Sequence, residues 1–504
     1  MRTLIKNGMV LTLDQADHIH EQSDVLIEGD TIAQIGRDLD ARLIAADKVI
    51  NASDKLVMPG LINGHLHSWN FYLKGSYDDI PLDVLVPYLR SITTQPRSYR
   101  EDYVRTVHSA LEMLKGGITT AQDNLNLAPL HGESLDAVMR GYADVGMRAM
   151  VGMSLINTRH IDSVPYLSEI LPTEISQKLQ AAPVAKTQDL VAACQDFVRR
   201  WKGREACLHV ILTPSGPQRC TDDLLLAIDE LSRSENLPWQ THTLETKSQA
   251  LMGLQLYGTS IIAHLDQLGL LSTRLTLAHC VWTTEEDIGL LARAGTSVVH
   301  NPASNLKLGS GLAPIKKMLE AGVNVALGCD GGASNDGQNM FESMKLAALL
   351  AELGGTSCGE WEPALAVLRM ATRGGARSNL LDSLVGSLEV GKKADIILLD
   401  LRSPSFTPVN DAIRQLVYCE RGDSVDTVIV NGRVVIEARR STLVDESAIV
   451  EESREFAHEF RDYVRRSVPQ AEQMRPYAEK AYWACMAQPL GFTTLYSPLE
   501  HRGS

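Results

Sequence analysis

Positive charge is in deficit in this 504-residue chain: 48 lysines and arginines face 62 aspartates and glutamates, a formal net charge of -14. A surface of that sign repels phosphate backbones and argues against nucleic acid as a partner. Long apolar runs are also missing. Nothing approaches the roughly 18 consecutive apolar residues of a membrane span. Met1 to Leu13 carries two early cations but only brief apolar stretches, without the continuous apolar region of a secretory signal. The eight cysteines are scattered and contain no C-x-x-C pair, against a disulfide framework or a cysteine-based zinc knot. There is no internal repeat and no low-complexity segment. What remains is an ordinary globular balance, 44% hydrophobic and 22% charged. The expectation is a soluble, reduced, cytoplasmic protein that acts on a small molecule.

Short strand-like segments open the chain. Leu4-Ile5 precedes the turn signal Asn7-Gly8, and Met9 to Leu13 follows. Val25 to Ile27, a turn at Glu28-Gly29-Asp30, Ile32 to Ile35 and Val49 to Val57 complete this set. From about Met58 to Leu388 short apolar runs such as Ala149 to Met153 and Val323 to Leu327 alternate with longer helical patterns such as Tyr103 to Lys115. That alternation predicts parallel strands with helical crossovers. The stretch is long enough for a (β/α)8 barrel, which typically takes about 250 residues. Strand texture returns after Leu388, with a hairpin signal at Asn431-Gly432. The expected units are residues 1–58 and 388–445, forming one sheet domain from both chain ends, a barrel over 59–387, and a helical extension over 446–504.

Histidines and carboxylates punctuate the ends of the strand-like runs. His65 and His67 lie two apart, and on a strand such side chains leave the same face and can grip one metal ion. His242 ends a second run, with Glu245 three residues later, a spacing that suits a metal ligand and a proton carrier. His279 ends a third run and Asp330 a fourth; the latter carboxylate could bind a metal and accept a proton from its water. Singly, each has a bland reading, a satisfied buried histidine or a helix cap. In this order, at successive strand ends, all converge on one mouth of a barrel, where active sites of such folds sit.

These pieces resemble the amidohydrolase superfamily, in the branch of chlorotriazine hydrolases and cytosine- or guanine-type deaminases. The resemblance spans nearly the whole chain and is most specific at Met58 to His67, Thr241 to Thr246, His300 to Gly311, Asp330 with Ser334-Asn335, and Gly386 to Asp400. It implies a distorted (β/α)8 TIM barrel accompanied by a small β-sandwich. It also implies His65, His67, His242 and Asp330 as metal ligands, His279 as a residue touching the water or substrate, and Glu245 as the proton shuttle. Two-metal members use a carboxylated lysine at the end of the fourth strand. The matching run, Leu208 to Thr213, has none, and its His209 reads as structural. One divalent cation per chain is therefore expected, zinc first and ferrous iron second. Two departures leave the ligands intact. The segment Pro81 to Leu85 lacks a tryptophan common in deaminases of this branch, and Cys329 stands where threonine is frequent.

An amine leaves poorly unless protonated, so an available acid favours carbon–nitrogen cleavage. The reading is an aminohydrolase that deaminates an aminated N-heterocycle. The alternative is hydrolysis of an amide, urea, carbamate or triazine substituent. A non-catalytic assembly module is the third reading, and no ligand is missing to signal it. Asn124, Gln218 with Arg219, Trp282, His300 and Asn305 are further substrate-pocket candidates. Beyond Glu451 an apolar and aromatic stretch, from Tyr477 through Trp483 to Phe492 and Leu495, is read as an oligomerisation surface of a homo-oligomer.

Overall fold

The structure, a computed structural model, describes residues 1–93, 95, 97–126, 132–353 and 362–491. Five strands open the chain: β1 (Arg2–Leu11), β2 (Ile19–Glu28), β3 (Thr31–Gly36), β4 (Lys48–Asn51) and β5 (Lys55–Pro59). The turn expected at Asn7-Gly8 is not a turn. Asn7 takes a left-handed φ of 63° inside β1, and the register against β2 shifts on either side of Gly8. An Asn-Gly pair supplies the same positive φ to a bulge as to a hairpin, and here the long partner strand holds β1 together through it. The turn at Gly29 does connect β2 to β3.

The middle of the chain supplies parallel strands separated by helices: β6 (Leu61–His67), β7 (Ile118–Leu125), β8 (Arg148–Leu155), β9 (Leu208–Val210), β10 (Thr213–Pro214), β11 (Trp239–Thr243), β12 (Leu275–His279), β13 (Ser297–His300), β14 (Val325–Leu327) and β15 (Asp330–Gly331). Pairing runs in parallel from β6 through β7 and β8 to β9 and β10. A bridge from Leu212 to Trp239 leads to β11, and β12, β13 and β14 follow. Finally β15, which follows β14 after Gly328 and Cys329, pairs with β6. The strands are buried on both faces, as parallel strands covered by helices should be.

Four last strands, β16 (Ile396–Asp400), β17 (Val425–Val430), β18 (Arg433–Glu437) and β19 (Arg440–Ser441), join the first five in one nine-stranded sheet. Within it β16 lies between β17 and β5, so the two chain ends share one ladder. Asn431 and Gly432 take φ of 50° and 76° in the β17–β18 hairpin, the two positive values a type I′ turn requires. Arg148, at the start of β8, makes a forked ion pair with Asp395, just before β16, at 2.8 and 3.0 Å. Both side chains are buried, and this pair ties the parallel ladder to the shared sheet. His209 lies within the field of the same arginine, at the strand-start end, and burial lowers its pKa to about 4.

A 42-residue helix, Glu446–Ala487, follows, opened by Asp445 accepting from the amides of Ser447 and Ala448. It packs on its own chain. Ala471 sits with Leu85 and Tyr88 of the helix Leu82–Thr93, and Tyr88 Oη donates to Glu472 at 2.5 Å. Further along, Ala481 packs with Ile161, Leu167 and Leu171, and Tyr477 joins them. The expectation that this stretch needs a separate partner is corrected to that extent, because most of its apolar face is taken up internally. Trp483 remains 49% exposed. Phe492 and Leu495 lie outside the described residues. Among the described residues no helix is long and apolar enough to cross a membrane.

Candidate metal centre and its cavity

The strand ends bring five sequence-predicted residues to one point. His65 and His67 leave the end of β6, His242 the end of β11, His279 the end of β12, and Asp330 opens β15. The imidazoles of His65 and His67 are 4.8 Å apart between centroids, as are those of His65 and His242. His242 Nε2 is 3.2 Å from His67 Nε2, and Asp330 Oδ1 is 3.4 Å from His67 Nε2 and 3.9 Å from His65 Nε2. One ligand atom from each of His65, His67 and His242 falls within 4.8 Å of the others, and the same holds for His65, His279 and Asp330. The approach needs glycine at 328: a Cβ there would stand 3.0 Å from the Cβ of His65. Backbone strain gathers here too. Leu244, His279 and Asp330 take left-handed φ of 51°, 76° and 59°, a conformation non-glycine residues rarely adopt and that clusters at functional sites.

Each histidine is oriented through its other ring nitrogen. His65 Nδ1 donates to Gln240 Oε1 at 2.5 Å, His67 Nδ1 to the Asn124 carbonyl at 2.7 Å, and His242 Nδ1 to the Ser215 carbonyl at 2.6 Å. With Nδ1 carrying the proton, Nε2 is the lone-pair nitrogen, and these face one another. Burial, reinforced by the neighbouring rings, lowers the pKa of His65 to about 3 and that of His242 well below its ordinary value. Burial alone would raise Asp330, but the fields of His67, His65 and His279 and the Ser304 hydroxyl outweigh it and hold the group well below the usual carboxylate range. Imidazole nitrogens around a buried carboxylate, with His65 Nε2 lacking any hydrogen-bond partner, form the donor set that a divalent cation satisfies. The residues present therefore fit one metal ion.

Glu245 follows β11 and is held by Gln249, whose Oε1 accepts from the Glu245 amide at 2.9 Å. Its Oε1 is 3.8 Å from His279 Nδ1, and burial raises its pKa, favouring the protonated acid. His279 Nδ1 lies 2.9 Å from Asn305 Oδ1. Ser304 donates to Asp330 Oδ2 at 2.5 Å. His67, His242, Glu245, His279 and Asp330 all line one cavity, with Trp69, Arg90, Ser215 and Arg219 among the other walls. The helix Leu82–Thr93, whose first turns lack the expected tryptophan, contributes Leu82, Leu85, Val86 and Leu89.

The substrate-pocket candidates fare differently. Asn305 holds His279 rather than the cavity wall, and Asn124 reaches His67 through its backbone. Trp282 donates to the Ser310 carbonyl at 2.9 Å, and His300 lines a separate small cavity. Gln218 is buried beside Arg219 and is not among the residues lining the cavity. Sequence reasoning passed over Gln240, Ser304 and Trp69. Gln240 stood two residues before His242 on the same strand face, and Trp69 two after His67, so both had a positional signal. Arg90 had none.

Residues 56–435 match the Amidohydrolase family, and the chain belongs to it. It is 36% identical to a 5-methylthioadenosine/S-adenosylhomocysteine deaminase of Caldanaerobacter subterraneus subsp. tengcongensis over 448 residues, 88% of this chain and 95% of the relative. It is 34% identical to a 5'-deoxyadenosine deaminase of Methanosarcina mazei over 460 residues, 90% and 98% of the two chains. Among solved structures, an adenosine deaminase from Xanthomonas campestris with bound zinc aligns at a TM-score of 0.81 and 29% identity, covering 91% of this chain and 98% of that one. An atrazine chlorohydrolase from Arthrobacter aurescens complexed with zinc aligns at 0.81 and 28%, covering 90% and 100%.

Proposed function

We propose that this chain is a hydrolase that deaminates an aminated N-heterocycle, an adenine nucleoside or a close analogue, with one divalent cation held by His65, His67, His242 and Asp330. The observation that carries this reading is the convergence of three Nε2 atoms and one carboxylate beside a buried Glu245 whose pKa burial raises. The deaminase relatives support it. A bound zinc or ferrous ion supplies Lewis acidity that brings the pKa of water from 15.7 towards about 7. The chain's own groups do the rest. Asp330 Oδ1 accepts the proton lost by the attacking water while Ser304 holds Oδ2. His279, anchored on Asn305, orients the attacking oxygen. Glu245 delivers a proton to a ring nitrogen or to the departing amine, which leaves as ammonia, so one water is consumed for each ammonia formed.

The succession of parallel strands, with β15 back against β6, supports reading residues 59–387 as a distorted (β/α)8 barrel. The core that Ile27 and Ile32 share with Ile396 and Leu398 supports reading 1–58 with 388–445 as a small β-sandwich. Residues 446–504 are the helical extension. The unpaired state of all seven cysteines among the described residues suits a reducing cytoplasm, and the exposed Trp483 suits a homo-oligomer contact. The functional test is a screen of zinc-loaded protein against adenine nucleosides, aminopyrimidines, aminopterins and aminotriazines for ammonia release, with chloride release from chlorotriazines read in parallel. Ammonia from at least one ring amine is expected. Chloride alone, or hydrolysis only of open-chain amides or ureas, would overturn deamination in favour of the alternative hydrolase.

A further inference from the structure

Two strands that carry the metal-facing residues share little backbone pairing. β6, which ends in His65 and His67, meets β15 at Asp330 with Leu66 and Gly331 with His67. Before that point β6 runs beside β14, which belongs to a different ladder. The approach is close: a Cβ at Gly64 would stand 3.1 Å from the Leu327 carbonyl.

Two buried amide side chains bridge this seam. Asn63 Oδ1 accepts from the Cys329 amide at 2.9 Å and from the His65 amide at 3.3 Å. Asn63 Nδ2 donates to Gln338 Oε1 at 2.9 Å, and Gln338 Nε2 donates to the Asp330 carbonyl at 2.7 Å. The run of bonds therefore starts on the peptide of one metal-facing residue and finishes on the peptide of another. Its ends fix its sense. Peptide N–H groups require an oxygen, a peptide carbonyl requires an N–H, and the two amides between them meet in one orientation. Gln338 is anchored in turn, its own amide donating to Glu112 Oε1 at 3.0 Å.

Asp330 needs such support. Its left-handed φ of 59° is a conformation that persists only where the surroundings over-determine it. Ser304 holds Oδ2, and the Gly331 amide donates to Oδ1 at 2.7 Å. Those bonds orient the carboxylate on its own backbone. The Gln338 bond orients that backbone relative to β6.

We propose that Asn63 and Gln338 act together as positioning residues of the metal centre: their paired amides set the separation of His65 from Asp330 and hold the Asp330 backbone in place. Neither is among the residues lining the cavity, so each acts through the ligands it holds. The inference rests on reading His65 and Asp330 as ligands of one cation.

The test uses full-length protein, treated with chelator and then titrated with zinc or cobalt(II). Q338M keeps the volume of the side chain and loses both of its hydrogen bonds. Its zinc affinity, by competition with a chelating dye, should fall by about 10–100-fold, the usual effect of removing a group that orients a ligand. The visible absorption of the cobalt(II) form, which follows ligand geometry, should change. At saturating zinc, kcat on the best ring amine should fall by about 10-fold or more while KM stays within about threefold. N63L should behave alike, and N63L/Q338M should lose little more than the worse single variant, because breaking one link already releases the other. Ser232→Ala is the control. It removes a buried hydrogen bond to the Leu237 carbonyl, 2.6 Å long, at the strand-start end. It should lower the melting temperature and leave zinc affinity and the cobalt spectrum as in the parent. An affinity of Q338M within about threefold of the parent's, or an unchanged cobalt spectrum, would overturn the proposal. So would additive losses in the double variant, which would make the amides two separate contacts. If Q338M does not fold, Q338N, whose amide falls one methylene short of the Asp330 carbonyl, is held to the same criteria. A parent that takes up no zinc fails the metal reading itself, whereas a parent that binds zinc no better than Q338M does fails this proposal alone.

Discussion

The inner end and the outer wall of one cavity are built in opposite ways. At the inner end every functional side chain is tied down by the chain itself: His65 to Gln240, His67 and His242 to backbone carbonyls, Asp330 to Ser304. The outer wall is a row of leucines with Arg90, on a helix backed by the distant segment around Ala471, and beside it Arg219 on the turn Pro217–Arg219, in contact with Ser215 Oγ at 3.4 Å. The inner end is rigid because its chemistry tolerates little displacement. The wall is free to differ between relatives because it only has to suit the substrate. Deaminases and a triazine dechlorinase can thus share one fold.

The sharpest way to break the contrast is His65→Ala. It removes a ligand from the tied end and should cost both metal and turnover, with no bound metal by elemental analysis and no measurable ammonia. Glu245→Gln should separate the two. Its shape is kept and its proton lost, so metal stays near one equivalent while kcat falls by about 10²–10⁴-fold. A variant within a factor of about three of the parent would remove Glu245 from the proton path. Gln240→Leu probes the ties themselves. Deprived of its acceptor, His65 loses its fixed tautomer, and zinc affinity should fall by about 10–100-fold by competition with a chelating dye. Unchanged affinity would mean that packing alone orients the ring.

The smallest effect lies on the helix that carries the wall. Burial raises Asp83 from 3.8 to about 6. Between those values the native state holds a proton that the unfolded chain has released, so stability falls as pH rises through this window. Asp83→Asn removes that titration. Its melting temperature should exceed the parent's near about pH 8, and the gap should close near about pH 4. A gap independent of pH would show that burial does not shift the Asp83 carboxyl.

The same contrast explains what could be read from the sequence. His65, His67, His242, His279 and Asp330 were visible because strand ends are local features and a two-residue spacing fixes a face. Their supporting partners were half visible: Gln240 shared the face of His242, whereas the Ser215 and Asn124 carbonyls carry no residue-type signal. The wall was not visible. Trp282 and His300 were plausible by residue type, but the chain turns them to other duties. Arg90 lines the cavity only because its helix is laid across the strand ends. The two-ended sheet was legible from its strand texture, while the Asn7-Gly8 bulge was not, since bulge and hairpin use the same residues. The final helix was legible as a helix, but its partner was not, because an apolar stripe does not say which surface will cover it.

The central claim, that a single cation held by four residues serves the deamination, is tested most directly by titration of metal into chelator-treated protein with ammonia release as the readout. Turnover of the best substrate from the ring-amine screen should be absent without metal, rise linearly with added zinc and level off at about one equivalent per chain. A plateau only at two equivalents, or full turnover in the chelated protein, would contradict the account.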